Sequence, residues 1–307
     1  MPGTDGRPPL KNSAVSWGNW MRKQFKETIT DLATQDASII LIFGDVSVYM
    51  FKDFSEKYPE RFYNMGLCEN TLISVAGGLS SQGFTPFVHT IAPFVTERSY
   101  EQIKLDLCYN NFPANIVTCG ASFDYAWDGA THHCYTDLAI LRLLPNIEVI
   151  QPGSRKELDV LLRSQYKNDN PTYFRLSDHP HNFDIPTRFG EGVVLKDVGS
   201  NVSIITAGPL LANVFEACRD LHVNIVYFHT IKPIDEKLVN KFKTTNILIV
   251  HDAFGLFEAV SALPDVSASY YGIADDFGSC YGEVYDVRDQ FGLDVKGIRE
   301  KVRKLSR

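Results

Sequence analysis

Glu69 lies just after a glycine and at the head of a long apolar run in NMGLCENTLISVAGGLSSQG, Asn64 to Gly83. A carboxylate there has two uses. It can complement a helix dipole or cap the first turn. It can also face a ligand, because the point where a strand of an α/β sheet gives way to a helix is the usual place for one. Three other stretches bear on the choice. FGDVS sets Asp45 at the end of an apolar strand, and HTIAPFVTERSYEQ sets Phe94 and Arg98 just after another. AWDGATHH puts Asp128, His132 and His133 in a glycine-containing loop, the kind of segment that carries function on a rigid scaffold. Taken singly each is weak, since a Phe after a strand is usually core and a Thr-His-His triplet is commonly a hydrogen-bonded loop.

Positioning these groups falls to an alternation of strands and helices. A helix is expected from Ser16 to about Leu32, then a buried strand SIILIFGD ending at Asp45, and a short strand RFYNMG before the helix that Glu69 opens. In that helix Leu72, Ile73, Val75, Ala76 and Leu79 recur at three- and four-residue spacing, the stripe of a buried face. TPFVHT, ANIVTC, IEVIQP and TYFRL read as further strands, separated by helical ERSYEQIKLDLC, TDLAILRLL and SRKELDVLLRSQYK. Such alternation predicts an α/β fold with a doubly wound parallel sheet covered on both faces. It also gathers Asp45, Glu69 and Phe94 along one crevice edge. A polar stretch with prolines and glycines, His179 to Asn201, reads as the crossing to a second, smaller α/β unit. That unit has strands NVSIITAG, VNIVYFH and NILIVHD, helices near Leu211 to Leu221 and Ile234 to Phe242, and a terminal helix near Lys296 to Leu305.

Bulk properties narrow the function classes. The 307 residues are 44% hydrophobic and 12% aromatic, ample for a packed core and two domains. With 30 basic against 37 acidic residues the net charge is -7, and no Lys/Arg stripe forms, so neither nucleic acid nor an anionic membrane is an expected partner. Six scattered cysteines without a Cys-x-x-Cys pair predict a reducing, cytoplasmic setting and no zinc site. No stretch is long and apolar enough for a bilayer span, and the Pro/Gly-rich start, residues 1–15, reads as a disordered tail.

In this order the segments resemble the second half of transketolase and the similar halves of 1-deoxyxylulose-5-phosphate synthase, which are thiamine diphosphate enzymes. The resemblance runs from Trp17 to Leu305: GLCEN…AGGLSSQG is similar to the family's glycine, x, x, glutamate element, FVTERSYEQI to its aromatic and helix segment, DGATHH to its Asp-Gly-x-Thr-His loop, and HTIKPID to a segment of its last domain. It implies a pyrimidine-binding domain over 16–180, a linker over 181–200 and a transketolase C-terminal-like domain over 201–307. It also implies a transferase moving a two-carbon ketol unit between sugars. The cofactor's aminopyrimidine must be held in its imino tautomer to deprotonate its own thiazolium carbon, and a carboxyl group beside the ring nitrogen does this by sharing a proton. By resemblance that group is Glu69, with Phe94 stacking on the pyrimidine and Arg98 and Asp45 lining the cofactor. His132 matches a histidine that bonds the substrate oxygen beside the reacting carbon, Asp128 a neighbouring substrate contact, and Arg22 a residue of the same pocket.

A full transketolase is about twice this length and begins with a domain carrying Gly-Asp-Gly and a downstream Asn, whose oxygens hold the metal that bridges the diphosphate. GDVS at Gly44 lacks the second glycine. The resemblance therefore implies a C-terminal subunit of a split enzyme, whose N-terminal partner supplies Mg2+ or Ca2+ and diphosphate binding in an α2β2 heterotetramer. One departure concerns substrate: PTYFRLSDHPH has Asp178 where the family has an arginine for the sugar phosphate, and a carboxylate repels a phosphate dianion. A non-phosphorylated acceptor is thus open, Asp178 counts as a substrate-pocket residue, and Arg175 is expected to be structural. CGASFDYAW is bulkier than the family's glycine-rich stretch. Two other readings stand beside this one: a β subunit of a 2-oxoacid dehydrogenase, against which HTIKPID and DGATHH argue, and a non-catalytic assembly subunit.

Overall fold

The apolar runs fold as strands of two sheets. The computed structural model describes residues 20–279 and 281–305; the expected tail over residues 1–15 lies outside them. In the first unit β1 (Ile39–Phe43), β2 (Phe62–Asn64), β3 (Thr85–Ile91), β4 (Asn115–Cys119), β5 (Glu148–Ile150) and β6 (Thr172–Arg175) pair in parallel, in the order β5-β6-β4-β3-β1-β2. The chain turns one way out of β1 to reach β2 and the other way out of β3 to reach β4. A crevice therefore opens between the carboxyl ends of β1 and β3, where ligands bind in such sheets.

The second unit holds β7 (Val193–Lys196), β8 (Val202–Ala207) and β9 (Asn224–Phe228), followed by β10 (Thr230–Lys232), β11 (Asn246–His251) and β12 (Ala268–Gly272). Its sheet runs β12-β11-β8-β9-β7, parallel except for β7 against β9. Two of these strands differ from expectation. Strand β7 lies inside the stretch that reads as a linker, and β10 leaves its own unit to extend the first sheet antiparallel to β5. The units are also joined by polar groups. The Tyr227 hydroxyl donates to Glu157 Oε2 at 2.7 Å, and His181 Nε2 lies 3.1 Å from Glu157 Oε1, all three side chains being buried.

Helices cover both faces. They are α1 (Trp20–Gln35), α2 (Lys52–Lys57), α3 (Glu69–Ser81), α4 (Ala92–Thr96), α5 (Tyr100–Gln102), α6 (Asp137–Arg142) and α7 (Arg155–Gln165) in the first unit. The second unit has α8 (Leu211–Ala217), α9 (Glu236–Phe242), α10 (Leu256–Ser261), α11 (Val284–Gln290) and α12 (Val295–Leu305). Helix α1 buries Met21, Phe25, Ile29 and Leu32, a spacing that keeps one face on Phe43 and Phe87 of the sheet. On the opposite face α3 buries Leu72, Ile73 and Ala76, while Val75 and Leu79 of the expected stripe pack at its margin. Helix α5 runs into a π-helix, Ile103–Tyr109, against which α3 lies so closely that a Cβ on Gly77 would stand 2.9 Å from the Asp106 carbonyl oxygen. No helix among the described residues is long and apolar enough to cross a membrane.

Candidate active site

Glu69 is the first residue of α3 and is 1% exposed. Its carboxylate does not cap the helix. Oε2 accepts from Arg98 Nη1 at 2.8 Å, and Oε1 finds no hydrogen-bond partner among the described residues. Buried acceptors are nearly always paired, so the orphaned oxygen marks a place shaped for a donor from outside the described residues. Arg98 is itself braced, because Asn70 donates to its carbonyl at 3.2 Å. Its guanidinium lies over the Phe94 ring, 4.7 Å from the centroid, and the edge-on ring of His132 stands 5.1 Å from Phe94 on another side. The loop after β2, the start of α4 and the loop after β4 thus bring Glu69, Arg98, Phe94 and His132 into one contact chain. His132 Nδ1 lies 2.9 Å from Thr131 Oγ1.

Asp45 sits at the rim. With φ of 66° it takes the left-handed turn out of β1, and it is exposed. Its amide donates to Asn64 Oδ1 at 3.0 Å, and Asn64 Nδ2 donates back to Asp45 Oδ1 at 3.2 Å, tying the ends of β1 and β2. Asp128 is exposed in the loop beside His132. The next residue, His133, points away from them, buried edge-on to Phe123 at 5.1 Å.

The remaining candidates form a second, deeper cluster. Arg22 Nη2 donates to Asp178 Oδ2 at 2.9 Å, so the cation and the carboxylate singled out separately are a single ion pair. Behind Asp178 is Asp124, which sequence reasoning missed; its Oδ1 accepts from Ser177 Oγ and its Oδ2 from the Asp178 amide, both at 2.8 Å. Burial lifts the Asp124 carboxyl to about 6, and burial with the facing Asp124 also raises Asp178. Tyr125 links this cluster to the first, its ring 6.3 Å from His132 and its hydroxyl 3.4 Å from Cys119 Sγ. Burial pushes the Cys119 thiol up to about 11, so it is an uncharged wall and not a nucleophile.

Ser47 and His89 form the floor. Val117 carbonyl accepts from His89 Nδ1 at 2.7 Å, leaving Nε2 to accept from Ser47 Oγ at 3.1 Å, and Ser47 Oγ in turn lies 3.4 Å from Arg22 Nη1. Burial holds His89 down to about 4, which keeps that tautomer neutral. A histidine inside the apolar run TPFVHT was the available signal for it. Arg175 is structural as expected: it is buried, with Nε on Asp137 Oδ2 at 2.7 Å and Nη1 on Ser122 Oγ at 3.1 Å. Among the described residues no three His, Cys, Asp or Glu gather as metal ligands.

The chain is similar to known proteins over most of its length. Residues 19–179 match the family described as transketolase, pyrimidine binding domain. The chain is 28% identical over 297 residues to one of the subunits of an apulose-4-phosphate transketolase from Phocaeicola vulgatus, covering 90% of this chain and 94% of that one. It is 28% identical over 313 residues to a putative transketolase C-terminal section of Methanocaldococcus jannaschii, covering 95% and 98%. Among solved structures it superposes on one described as a split gene transketolase, inactive beta4 tetramer, with TM-score 0.81 and 28% identity over 94% of this chain and all of that one. The chain belongs to the transketolase family and corresponds to its pyrimidine-binding domain with the domain that follows.

Proposed function

We propose that this chain is the pyrimidine-binding subunit of a two-chain, thiamine diphosphate-dependent transferase that moves a two-carbon ketol unit between sugars. The observation that carries the reading is the solvent-excluded Oε1 of Glu69, unpartnered among the described residues, on a carboxylate whose Arg98 partner lies over Phe94. Thiamine diphosphate, when bound, supplies a thiazolium carbon able to add to a ketose carbonyl and to accept the electrons of the carbon–carbon bond that breaks. Glu69 Oε1 would accept from the pyrimidine ring nitrogen, while the Arg98 bond on Oε2 fixes the carboxylate's direction. Phe94 offers an aromatic face to the pyrimidine. His132 keeps Nδ1 toward Thr131 and turns Nε2 to the substrate oxygen beside the reacting carbon, where it can give and take a proton. Asp45 and Asp128 line the entrance.

The diphosphate and its Mg2+ or Ca2+ are assigned to an N-terminal partner subunit, in an α2β2 assembly. The free thiols of Cys68, Cys108, Cys119, Cys134 and Cys218 fit a cytoplasmic enzyme. A solved structure described as a split gene transketolase, inactive beta4 tetramer, supports the expectation that the chain alone does not turn over. The test is to purify the chain with and without its companion subunit and to measure bound thiamine diphosphate and ketol transfer. Both should arise only on mixing; equal turnover by the chain alone sinks the two-subunit reading.

A further inference from the structure

Around His132 and Asp178 the surface is aromatic to a degree that the cofactor does not use. Trp127, 44% exposed, lies in the same loop as His132, with its ring 5.5 Å from Tyr125. Tyr281, from the second unit, lies against that loop: a Cβ on Gly129 would meet Tyr281 Cε1 at 2.5 Å. Tyr285, 49% exposed, stands edge-on to His179 at 5.8 Å, next to Asp178. Three exposed rings thus flank the path from His132 to Asp178. Beyond the His132 end, where Arg98 lies over Phe94, the charges along it suit no anion. Arg22 is held by Asp178 and Arg288 donates to Asp252 at 2.7 Å, while Asp128, Glu283 and Asp286 are exposed on the segments that carry the rings. Asp178 Oδ1 is buried without a hydrogen-bond partner among the described residues.

Aromatic faces beside acceptor-only carboxylates match a sugar ring, whose apolar C–H face packs on the aromatic plane while its hydroxyls donate to the carboxylates. A phosphate monoester finds repulsion in the same place. We infer that the acceptor of this transferase is an aldehyde carried on an uncharged, ring-form sugar, packed on Trp127 and Tyr285 and hydrogen-bonded through Asp178. The inference rests on the transferase reading. In the step it concerns, the two-carbon unit forms a carbon–carbon bond to the aldehyde carbon, whose oxygen takes one proton and becomes a hydroxyl. With hydroxypyruvate as donor, the donor's bond to its carboxylate breaks and carbon dioxide leaves, one proton is consumed, and no outside oxidant or reductant is needed.

The assembled two-subunit enzyme is supplied with hydroxypyruvate and either the 6-aldehyde of methyl galactopyranoside or glyceraldehyde 3-phosphate. Carbon dioxide release without acceptor reports the transferase reading separately. The wild type should favour the glycoside aldehyde in kcat/KM by tenfold or more. Because the ratio of the two acceptors is taken within one preparation, general losses in a variant cancel. Trp127→Ala and Tyr285→Ala should raise KM for the glycoside aldehyde at least fivefold relative to the phosphate, and Asp178→Arg should shift the ratio tenfold toward the phosphate. A wild type that prefers the phosphate, with no change of ratio in the aromatic variants, overturns the inference. Saturation-transfer NMR with unreactive methyl galactopyranoside reads the same surface without turnover: transfer to its ring protons that falls in Tyr285→Ala supports the inference, and no transfer in the wild type overturns it.

Discussion

Holding a carboxylate out of water costs several kcal/mol unless a donor or counter-charge compensates it, and Glu69 has one partner for two oxygens among the described residues. Arg98 is a half-exposed partner, so its attraction is screened on one side. What remains unsatisfied is Oε1, the atom proposed to meet the ring nitrogen. Glu69→Gln keeps the volume and loses the ability to share a proton, so fold and assembly should hold while cofactor activation falls by about 10²- to 10⁴-fold. Hydrogen–deuterium exchange at the cofactor's C2 carbon, in the mixed complex, measures this directly; wild-type exchange in the variant would reduce Glu69 to an element of the fold. Its place between a turn and an apolar stripe singled Glu69 out, and only the family resemblance chose between a cap and a ligand group. Its pairing was not legible, because 29 residues separate it from Arg98 and only folding decides which of their atoms meet. The same holds for Arg22 and Asp178, 156 residues apart. Read separately they were a residue of the pocket and a carboxylate standing where the family has an arginine; together they form one ion pair.

Strong local patterns carried the elements of the first sheet, and weak ones hid the rest. Strand β12 has no clean apolar run and every residue of it is at least partly exposed, and β10 is three residues long. The π-helix after α5 leaves no mark in periodicity, yet the double glycine in AGGLSSQG answers to it. Adding a Cβ at Gly77 sets it 2.9 Å from a backbone oxygen, whereas at Gly78 it meets nothing within 4 Å. Alanine is favoured over glycine in a helix interior by about 1 kcal/mol, while forcing a methyl into a filled contact costs about 1–3 kcal/mol. The contact should win at Gly77 and the propensity at Gly78. In urea unfolding, Gly78→Ala should therefore raise the midpoint and Gly77→Ala should lower it, because backbone cannot step aside as a side-chain tip would. If both substitutions stabilise, the approach of α3 to the π-helix is looser than described.

Across the whole molecule, the two units meet through buried polar side chains that no local pattern could pair. Gln151, after β5 of the first sheet, fills the space left by the absent Cβ of Gly208 at the end of β8. Its side-chain amide lies 2.9 Å from His251 Nε2, and His251 Nδ1 lies 2.8 Å from the Ala253 carbonyl. A neutral His251 that donates to Ala253 needs the Gln151 NH2 group toward Nε2. The carboxyl-end crevice of the second sheet is thus taken up by contact with the first unit. This construction makes the fold sensitive to acid. Burial holds His251 and His89 down to about 4, and burial with the nearby Arg288 does the same for His179. Unfolded, each would titrate near 6.5. Between those values the unfolded chain binds protons that the folded one refuses, so stability is full above about 6.5 and is lost as pH falls toward 4. Each histidine contributes on the order of 3 kcal/mol to that loss at most. Asp124, raised to about 6, works the other way, as do Asp178, Glu97 and Glu148, whose carboxyls burial also raises, while His133 and His229, held down by burial, add to the loss. The net expectation is a fall of several kcal/mol in urea-unfolding free energy between pH 7 and pH 4.5, on the scale of a domain's whole stability. A flat profile over that range would mean that these histidines take up protons in place, and that the interior joining the two units admits water.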